Sequence, residues 1–88
     1  MSYTLIIEKA ALKALKKLPT NLKQRIVYKL SALAANPFAE HLDIKALTGR
    51  ENQYRLRVGE WRVIYELQHN RLVILVLTIA PRGGAYEQ

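Results

Sequence analysis

The most constraining feature of the sequence is a stretch of alternating side chains centred on Gly59-Glu60. Basic residues alternate there with apolar ones, namely Tyr54, Leu56, Val58, Trp61, Val63 and Tyr65. A period of two is typical of β-strands that bury one face, and a Gly-X pair suits a two-residue type II′ turn. The segment is therefore predicted to be a β-hairpin in which Arg57 lies opposite Arg62.

This register also predicts which side chains share a face. Side chains alternate between faces along a strand, so Arg55, Arg57 and Arg62 should lie together, with the apolar set on the other side. Directly opposed like charges destabilise a sheet by about 0.2–1 kcal/mol, and neither Glu60 nor Glu66 is placed across from this pair. Folding alone gives no reason for the arginines, whereas a bound phosphate does, because a guanidinium matches its oxygens in pairs. The alternative is that they are ordinary solvent-facing residues.

Two helices are predicted between a short opening strand and the hairpin. Residues 3–7 are rich in β-forming side chains. Apolar residues at helical spacing then mark two successive segments, Ala11, Leu12, Leu15 and Leu18 in the first and Leu22, Ile26, Leu30 and Leu33 in the second. Pro19 and Asn36-Pro37 end the two helices.

The rest of the chain completes an α+β fold of order β-α-α-β-β-β. Residues 37–52 are predicted to be a loop, which could include a helical turn over 41–47. Residues 72–79 are apolar on both faces, which predicts an inner strand covered on both sides. The expected architecture is a small antiparallel β-sheet with two N-terminal helices packed on one face. The 88 residues suffice for one domain, and its core must form without disulfides because the chain has no cysteine.

The charge balance points to a polyanionic partner. Fourteen Lys and Arg stand against seven Asp and Glu, for a net charge of +7, which predicts salt-sensitive attraction to polyanions. The alternative is a basic protein whose charges serve only solubility. The absence of cysteine fits a reducing cytosol, the N-terminus does not resemble a signal peptide, and the longest apolar run is too short for a transmembrane helix. We therefore expect a cytoplasmic protein without membrane association.

A few other residues are candidates for the same anion site. Arg82, just after the last predicted strand, could close the concavity formed by the hairpin arginines. Tyr86 could stack on a base or donate its phenolic proton, or it could be a tail tyrosine packed on the surface. Lys45 and Arg50, in the predicted loop before the hairpin, are further candidates for phosphate contacts.

The remaining polar residues give weaker signals. His41 and His69 have no metal-ligand spacing and are expected to be surface residues. Glu40 and Asp43 lie close to His41 in the sequence, but a loop of mixed charge explains them better than a site does. We therefore predict no metal site and no cofactor.

Several of these segments together resemble the RelE/ParE toxin superfamily. They are Lys16-Lys17-Leu18-Pro19 after the opening strand, Leu47-x-Gly49, the run from Tyr54 to Tyr65, and the run from Ile79-Ala80-Pro81-Arg82 to Tyr86. The likeness covers nearly the whole chain, and it is closer to RelE-type toxins. These are small proteins that are encoded beside an antitoxin, enter the ribosomal A site and cleave the mRNA there without a metal. The resemblance implies a single RelE-like toxin domain over residues 1–88.

The resemblance also implies residue roles. The candidate catalytic residues are Arg57, Arg62, Arg82 and Tyr86, and Arg55 and Arg57 are candidate RNA-binding residues. Lys45 and Arg50 are counted with the RNA-binding candidates, although the resemblance does not assign them a role. The reaction would be attack of an RNA 2′-OH on the adjacent phosphorus. In it the arginines would stabilise phosphoryl charge, and Tyr86 would position a base or assist proton transfer. The chain departs from the family where arginine replaces lysine, because arginine is a poor proton acceptor. The short gap between Arg82 and Tyr86 is a second departure. With no convincing general base in the chain, we expect ribosome-imposed geometry to supply much of the rate.

The partners that the resemblance implies are a cognate acidic antitoxin of the RelB type, the mRNA and the ribosome. The toxin–antitoxin complex is expected to be a higher-order assembly. An alternative function within the superfamily is ParE-type inhibition of DNA gyrase without nuclease activity, and a third is RNA binding without toxicity.

Overall fold

The computed structural model describes residues 2–81, which fold into two helices and five strands. The strands are β1 (Thr4–Ile7), β2 (Ile44–Ala46), β3 (Gln53–Val58), β4 (Trp61–Gln68) and β5 (Val73–Pro81), and the helices are α1 (Lys9–Lys16) and α2 (Thr20–Ala35). The sheet order is β1-β5-β4-β3-β2. All neighbouring strands are antiparallel except β1 and β5, which run parallel. The predicted α+β class is confirmed.

The predicted hairpin forms with the predicted register. Val58 pairs with Trp61 and Arg57 with Arg62, and the pairing continues to Gln53 and Glu66. Gly59 has a φ of +61°, whereas the φ of Glu60 is not positive. This combination fits a type II′ turn, because a type I′ turn needs positive φ at both central residues. The arginines of the hairpin therefore lie on one face of the sheet, as predicted.

We expect Gly59→Ala to lower the free energy of unfolding by about 1–2 kcal/mol, because an L side chain is strained at this φ. A Cβ at this position would also lie 3.3 Å from Nη2 of Arg25, so that side chain would have to move. Gly49→Ala is the matched control for the contact with Arg25. Gly49 has a φ of +76°, so an L side chain is strained there as well, but a methyl group would meet no atom within 4 Å. Urea denaturation would measure both. A Gly59→Ala variant as stable as the wild type would contradict the turn conformation.

Two details of the sheet differ from the sequence-based prediction. The segment predicted as a loop with a possible helical turn contains β2, which pairs with β3 through Lys45 and Arg55. The prediction of a helical turn over residues 41–47 is therefore wrong. The opening strand does not join an all-antiparallel sheet, because it pairs parallel to β5 from Thr4 to Ile7. Both differences arise from pairings between distant segments, which local side-chain patterns do not determine.

One apolar core lies between the helices and one face of the sheet. From the helices it takes Ala11, Leu15, Ile26, Leu30 and Leu33, and from the sheet it takes Leu56, Val58, Val63, Tyr65, Leu67, Ile74, Val76 and Ile79. Leu12, one of the apolar residues that mark the first predicted helix, is exposed. β5 lies between β1 and β4, so its predicted inner position in the sheet is confirmed. The predicted cover on both sides is not seen within residues 2–81, because the core lies on one face of β5 and Leu75 and Leu77 on its other face are only half-buried. Neither described helix has the length and apolarity needed to cross a membrane.

The core contains one titratable group with a shifted pKa, the phenol of Tyr65. Its ring is buried and stacks on Tyr54 across the strand pair, with ring centroids 5.7 Å apart. Burial, and to a smaller extent the neighbouring phenol of Tyr54, raises the pKa of Tyr65 well above its ordinary value. The folded protein therefore holds this proton more tightly than the unfolded chain does.

This shift makes stability depend on alkaline pH. The contribution of the neutral Tyr65 phenol to the free energy of unfolding is fully present below the unfolded-state pKa of about 10 and is lost as the pH rises above it. We expect Tyr65→Phe, which has no proton to lose, to show a shallower decrease of unfolding free energy between about pH 9 and pH 11. Denaturant titrations across that range would test this, with Tyr28→Phe at an exposed position as the control. Equal slopes for Tyr65→Phe and the wild type would contradict the prediction.

Candidate nucleic-acid interface

The face of the sheet opposite the core carries the basic residues of three neighbouring strands. Lys45 of β2 lies directly across from Arg55 of β3, and Arg57 of β3 lies across from Arg62 of β4. Directly paired residues point to the same side of a sheet. Lys45 therefore joins the three predicted arginines on one surface, and all four residues are supplied by strands.

A basic cavity opens on this surface. Its volume is about 380 Å³, and it is lined by Lys45, Ala46, Leu47, Thr48, Arg50, Arg55 and Arg62. Four of these residues are cationic, and none is acidic. Concentrating one sign of charge in a concavity raises the local potential and attracts counter-ions. The cavity is therefore suited to an anion with several oxygen acceptors, as a phosphodiester has.

Arg62 is the most buried charged residue of the site, with 8% of its surface exposed. Its Nη1 atom lies 3.5 Å from the carbonyl oxygen of Gly59 and 3.4 Å from that of Trp61. These contacts orient the guanidinium but do not neutralise it, because both acceptors are uncharged. Within residues 2–81, Arg62 forms no ion pair. A largely buried cation with no counter-charge is costly unless an anion binds it.

Asp43, which the sequence analysis assigned to a loop of mixed charge rather than to a site, supplies a carboxylate beside the hairpin arginines. Its Oδ1 atom lies 2.8 Å from Nη2 of Arg55, and its Oδ2 atom lies 4.0 Å from Nη1 of Arg57. Folding therefore does provide a partner for two of the hairpin arginines, although not from the hairpin itself. The side chain of Asp43 is 54% exposed, whereas that of Arg55 is only 13% exposed. The Nε atom of Arg55 is buried and has no hydrogen-bond acceptor among the described residues.

Removing this carboxylate should strengthen the attraction for polyanions. We expect Asp43→Asn to bind a short single-stranded RNA several-fold more tightly at low salt, because the amide keeps the shape but removes the negative charge beside Arg55. Fluorescence anisotropy would measure the affinity. Glu40→Gln is the matched control, since Glu40 lines a separate cavity on the helix side of the sheet. Weaker RNA binding by Asp43→Asn would instead mean that the ion pair is needed to hold Arg55 in place.

The structure brings together some of the predicted site residues and separates others. Lys45, Arg50, Arg55 and Arg62 share the basic cavity, whereas Arg57 lies on the same face but outside the cavity lining. Arg82 and Tyr86, two of the four candidate catalytic residues, lie outside the described residues. Ala46, Leu47 and Thr48 complete the lining. The sequence analysis named Leu47 only as part of the family resemblance and assigned none of the three to the site, because their position depends on the pairing of β2.

The two histidines are exposed, as predicted, and do not line the basic cavity. The ring of His69 stacks on Phe38 with centroids 6.1 Å apart, and Tyr3 meets it edge-on, with the phenol oxygen 3.4 Å from Nδ1. This cluster joins the N-terminus, the segment after α2 and the turn between β4 and β5. The contacts among Tyr3, Phe38 and His69 hold these three segments together.

Comparison with known proteins identifies the family. Residues 5–86 match the family described as the ParE toxin of the type II toxin–antitoxin system parDE. The chain belongs to this toxin family, within the RelE/ParE superfamily. Its RelE/ParE relatives include the Methanocaldococcus jannaschii protein "Putative toxin RelE1", which is 35% identical, with 99% of this chain and 98% of that protein covered.

Solved structures of RelE proteins share the fold. A chain of the archaeal RelE–RelB complex from Pyrococcus horikoshii OT3 is 34% identical, with a TM-score of 0.83, and the match covers 96% of this chain and 99% of that one. A chain of the RelB–RelE complex from Methanococcus jannaschii is 28% identical, with a TM-score of 0.76 and coverage of 92% and 94%. These relatives carry the name RelE, so the comparisons favour the RelE branch over the ParE-type alternative.

Proposed function

We propose that this protein is the toxin of a type II toxin–antitoxin pair and inhibits translation as a ribosome-dependent, metal-independent endoribonuclease. The observation that carries the proposal is the basic cavity, in which four cationic side chains converge without a carboxylate in the lining. Such a cavity suits the phosphodiester backbone of RNA. Membership of the toxin family and similarity to RelE proteins support the same function.

The chemistry proposed for the site is transesterification within the mRNA. The 2′-oxygen attacks the adjacent phosphorus and loses its proton, the bond to the 5′-oxygen breaks, and that oxygen takes up a proton. The products are a 2′,3′-cyclic phosphate and a free 5′-hydroxyl. Negative charge builds up on the phosphoryl oxygens, where preoriented donors stabilise it. Arg62 is the best-placed donor among the described residues because its guanidinium is buried and oriented by two carbonyl oxygens.

The cavity supplies charge stabilisation more readily than acid–base catalysis. None of the residues that line it is a carboxylate or an imidazole. Arginine remains protonated at neutral pH and cannot accept the 2′-OH proton. We therefore propose that the ribosome aligns the 2′-oxygen for in-line attack, since correct alignment alone can provide a large part of a rate enhancement. Naked RNA should accordingly be cleaved poorly.

An antitoxin is the protein partner that completes this function. The RelE proteins from Pyrococcus horikoshii and Methanococcus jannaschii are found in complexes with RelB. We propose that a RelB-type antitoxin binds this chain, that it is acidic because the chain carries a net charge of +7, and that the complex is a higher-order assembly. The toxin would act in the cytoplasm, where its ribosomal target is located.

The test is cleavage of a defined mRNA with and without ribosomes stalled at a known codon. Cuts within the A-site codon that appear only when both the toxin and the stalled ribosomes are present would support the proposal. Mapping of a 2′,3′-cyclic phosphate on the upstream fragment would support the chemistry. If no cleavage occurs, a DNA gyrase supercoiling assay would test the ParE-type alternative, and inhibition there would replace the proposal.

A further inference from the structure

The outer edge of β1 is the open edge of the sheet that lies farthest from the basic cavity. β1 is the first strand in the sheet order and pairs only with β5. The amides of Thr4 and Glu8 donate to carbonyl oxygens on the β5 side, over 2.7 Å and 2.9 Å. Because alternate residues of a strand bond to the same neighbour, the peptide groups of Leu5 and Ile7 point away from β5. No strand within residues 2–81 pairs with them.

This edge is uncharged, although the chain as a whole is strongly basic. Residues 1–7 contain no Lys, Arg, Asp or Glu, whereas the chain carries a net charge of +7. Leu5 and Ile7 pack against the core, so Ile6 between them faces the other side of the sheet. Its side chain is 42% exposed. The edge therefore offers main-chain hydrogen bonds and apolar contact, but no ion pair.

We propose that the outer edge of β1 binds the same edge of a second copy of this chain in antiparallel orientation. Leu5 of each copy would pair with Ile7 of the other, and their free peptide groups would form the ladder. Ile6 would then lie across from Ile6 of the other copy, on the two-fold axis. Every main-chain group that points away from β5 in this strand is used in that register.

Neighbouring registers are excluded by bonds that the chain already makes. A register displaced towards the N-terminus would pair Ile7 with Tyr3, but the amide of Tyr3 donates to the carbonyl oxygen of Ala34 over 2.8 Å. A register displaced the other way would pair Leu5 with Lys9, which is already the first residue of α1. The proposed register is therefore the one that the free groups of β1 allow.

The charges around the edge favour a second copy as the occupant. Glu8 would lie across from Thr4 and Lys9 across from Tyr3, so no like charges are opposed. The amide of Tyr3 bonds to the last turn of α2, and that turn has no basic residue of its own. Lys9 of the other copy would bring a cation to this helix end, where the macrodipole favours one. An acidic chain would find no cation in residues 1–7.

The assembly would join two five-stranded sheets into one continuous sheet. Leu5 and Ile7 face the core in each copy, and paired residues point to the same side, so all the helices would lie on one side of the sheet. The two basic cavities would both lie on the other side, towards its opposite ends, and would stay open. The inference goes beyond the proposed function and does not depend on it, because no residue of β1 lines the basic cavity.

The test is disulfide cross-linking, which is direct because the chain has no cysteine of its own. Residues that face each other without hydrogen bonds have Cα atoms about 4.5 Å apart, which allows a disulfide. We therefore expect Ile6→Cys to form a covalent dimer under mild oxidation. Thr4→Cys is the matched control on the same face of β1, since residues 4 of the two copies would be about 13 Å apart along the strands.

A double variant tests the register itself. Thr4→Cys/Glu8→Cys should form a dimer with two disulfides, each joining position 4 of one copy to position 8 of the other. Glu8 makes no side-chain cap bond to α1, so its replacement leaves the helix intact. Peptide mapping by mass spectrometry would identify the linked positions.

The wild-type protein should form the same dimer reversibly. The contact is small, so we expect a dissociation constant of about 0.1 mM by analytical ultracentrifugation. Added salt should strengthen the dimer, because it screens the repulsion between two chains of charge +7. The amides of Leu5 and Ile7 should exchange hydrogen more slowly as the protein concentration rises.

A charge on the two-fold axis should prevent the pairing. We expect Ile6→Lys to weaken dimerisation about tenfold or more, because it opposes like charges and removes the contact between the two isoleucines. Val27→Lys adds the same charge at a residue of α2 that is 44% exposed, and should dimerise like the wild type. Melting curves would check that both variants fold.

Equal cross-linking of Ile6→Cys and Thr4→Cys would overturn the inference, because chance collisions would then explain both. A wild-type protein that stays monomeric at about 1 mM would overturn it too, since the edge would then have no affinity for itself. Dimerisation that salt strengthens, that Ile6→Lys weakens and that Val27→Lys leaves unchanged would support it, whether or not the protein cleaves RNA.

Discussion

Replacing Arg62 by alanine is expected to lower ribosome-dependent mRNA cleavage by about 100-fold or more, the effect typical of removing one preorganised donor to transition-state charge. The guanidinium is held against the carbonyl oxygens of Gly59 and Trp61 and lines the basic cavity. It therefore needs little reorganisation when charge develops on the phosphoryl oxygens. Single-turnover cleavage on saturating stalled ribosomes would measure the chemical step.

Two further variants separate charge stabilisation from folding and from net charge. Arg62→Lys keeps a cation but loses the planar fork, so we expect an intermediate loss of rate. Arg71→Ala removes the same charge at an exposed residue after the far end of β4, where it contacts Gln68, and should cleave normally. Melting curves would show whether Arg62→Ala is folded. A folded Arg62→Ala variant that cleaves at the wild-type rate would remove Arg62 from the catalytic machinery.

The hairpin was predictable because its register follows from the chain itself. A two-residue turn leaves only one pairing for the residues beside it, so fixing Gly59-Glu60 placed Arg57 across from Arg62. The alternation of side chains then assigned the apolar residues to the core and the arginines to the opposite face. Local geometry was sufficient at each step.

The part of the site that the sequence did not predict depends on pairings between distant segments. β2 is only three residues long, and its Lys45 and Ala46 belong to types that are depleted in strands. Its strand conformation comes from pairing with β3. The contact of Asp43 with Arg55 follows from that pairing, and so does the position of Lys45 beside Arg55. The parallel pairing of β1 with β5 was likewise not encoded in either strand alone.

The rim of the basic cavity should control RNA affinity more than the chemical step. Lys45 and Arg50 line the cavity and are exposed, so each can approach a phosphate without desolvating a buried charge. We expect the double variant Lys45→Gln/Arg50→Gln to bind a short single-stranded RNA about 25-fold more weakly at 0.1 M salt, with the difference fading towards 1 M. Each lost phosphate contact should reduce the slope of log affinity against log salt by about 0.7.

The salt dependence is what makes this prediction specific. Lys13→Gln/Lys16→Gln removes the same two charges from α1, away from the basic face, and should change both affinity and slope much less. A loss of about 25-fold with an unchanged slope would mean that the two side chains shape the cavity rather than contact phosphates. Equal losses in both double variants would mean that RNA responds only to the net charge of +7. Because counter-ion release counts only the cations that touch the polyanion, the slope distinguishes a local binding site from a generally basic surface.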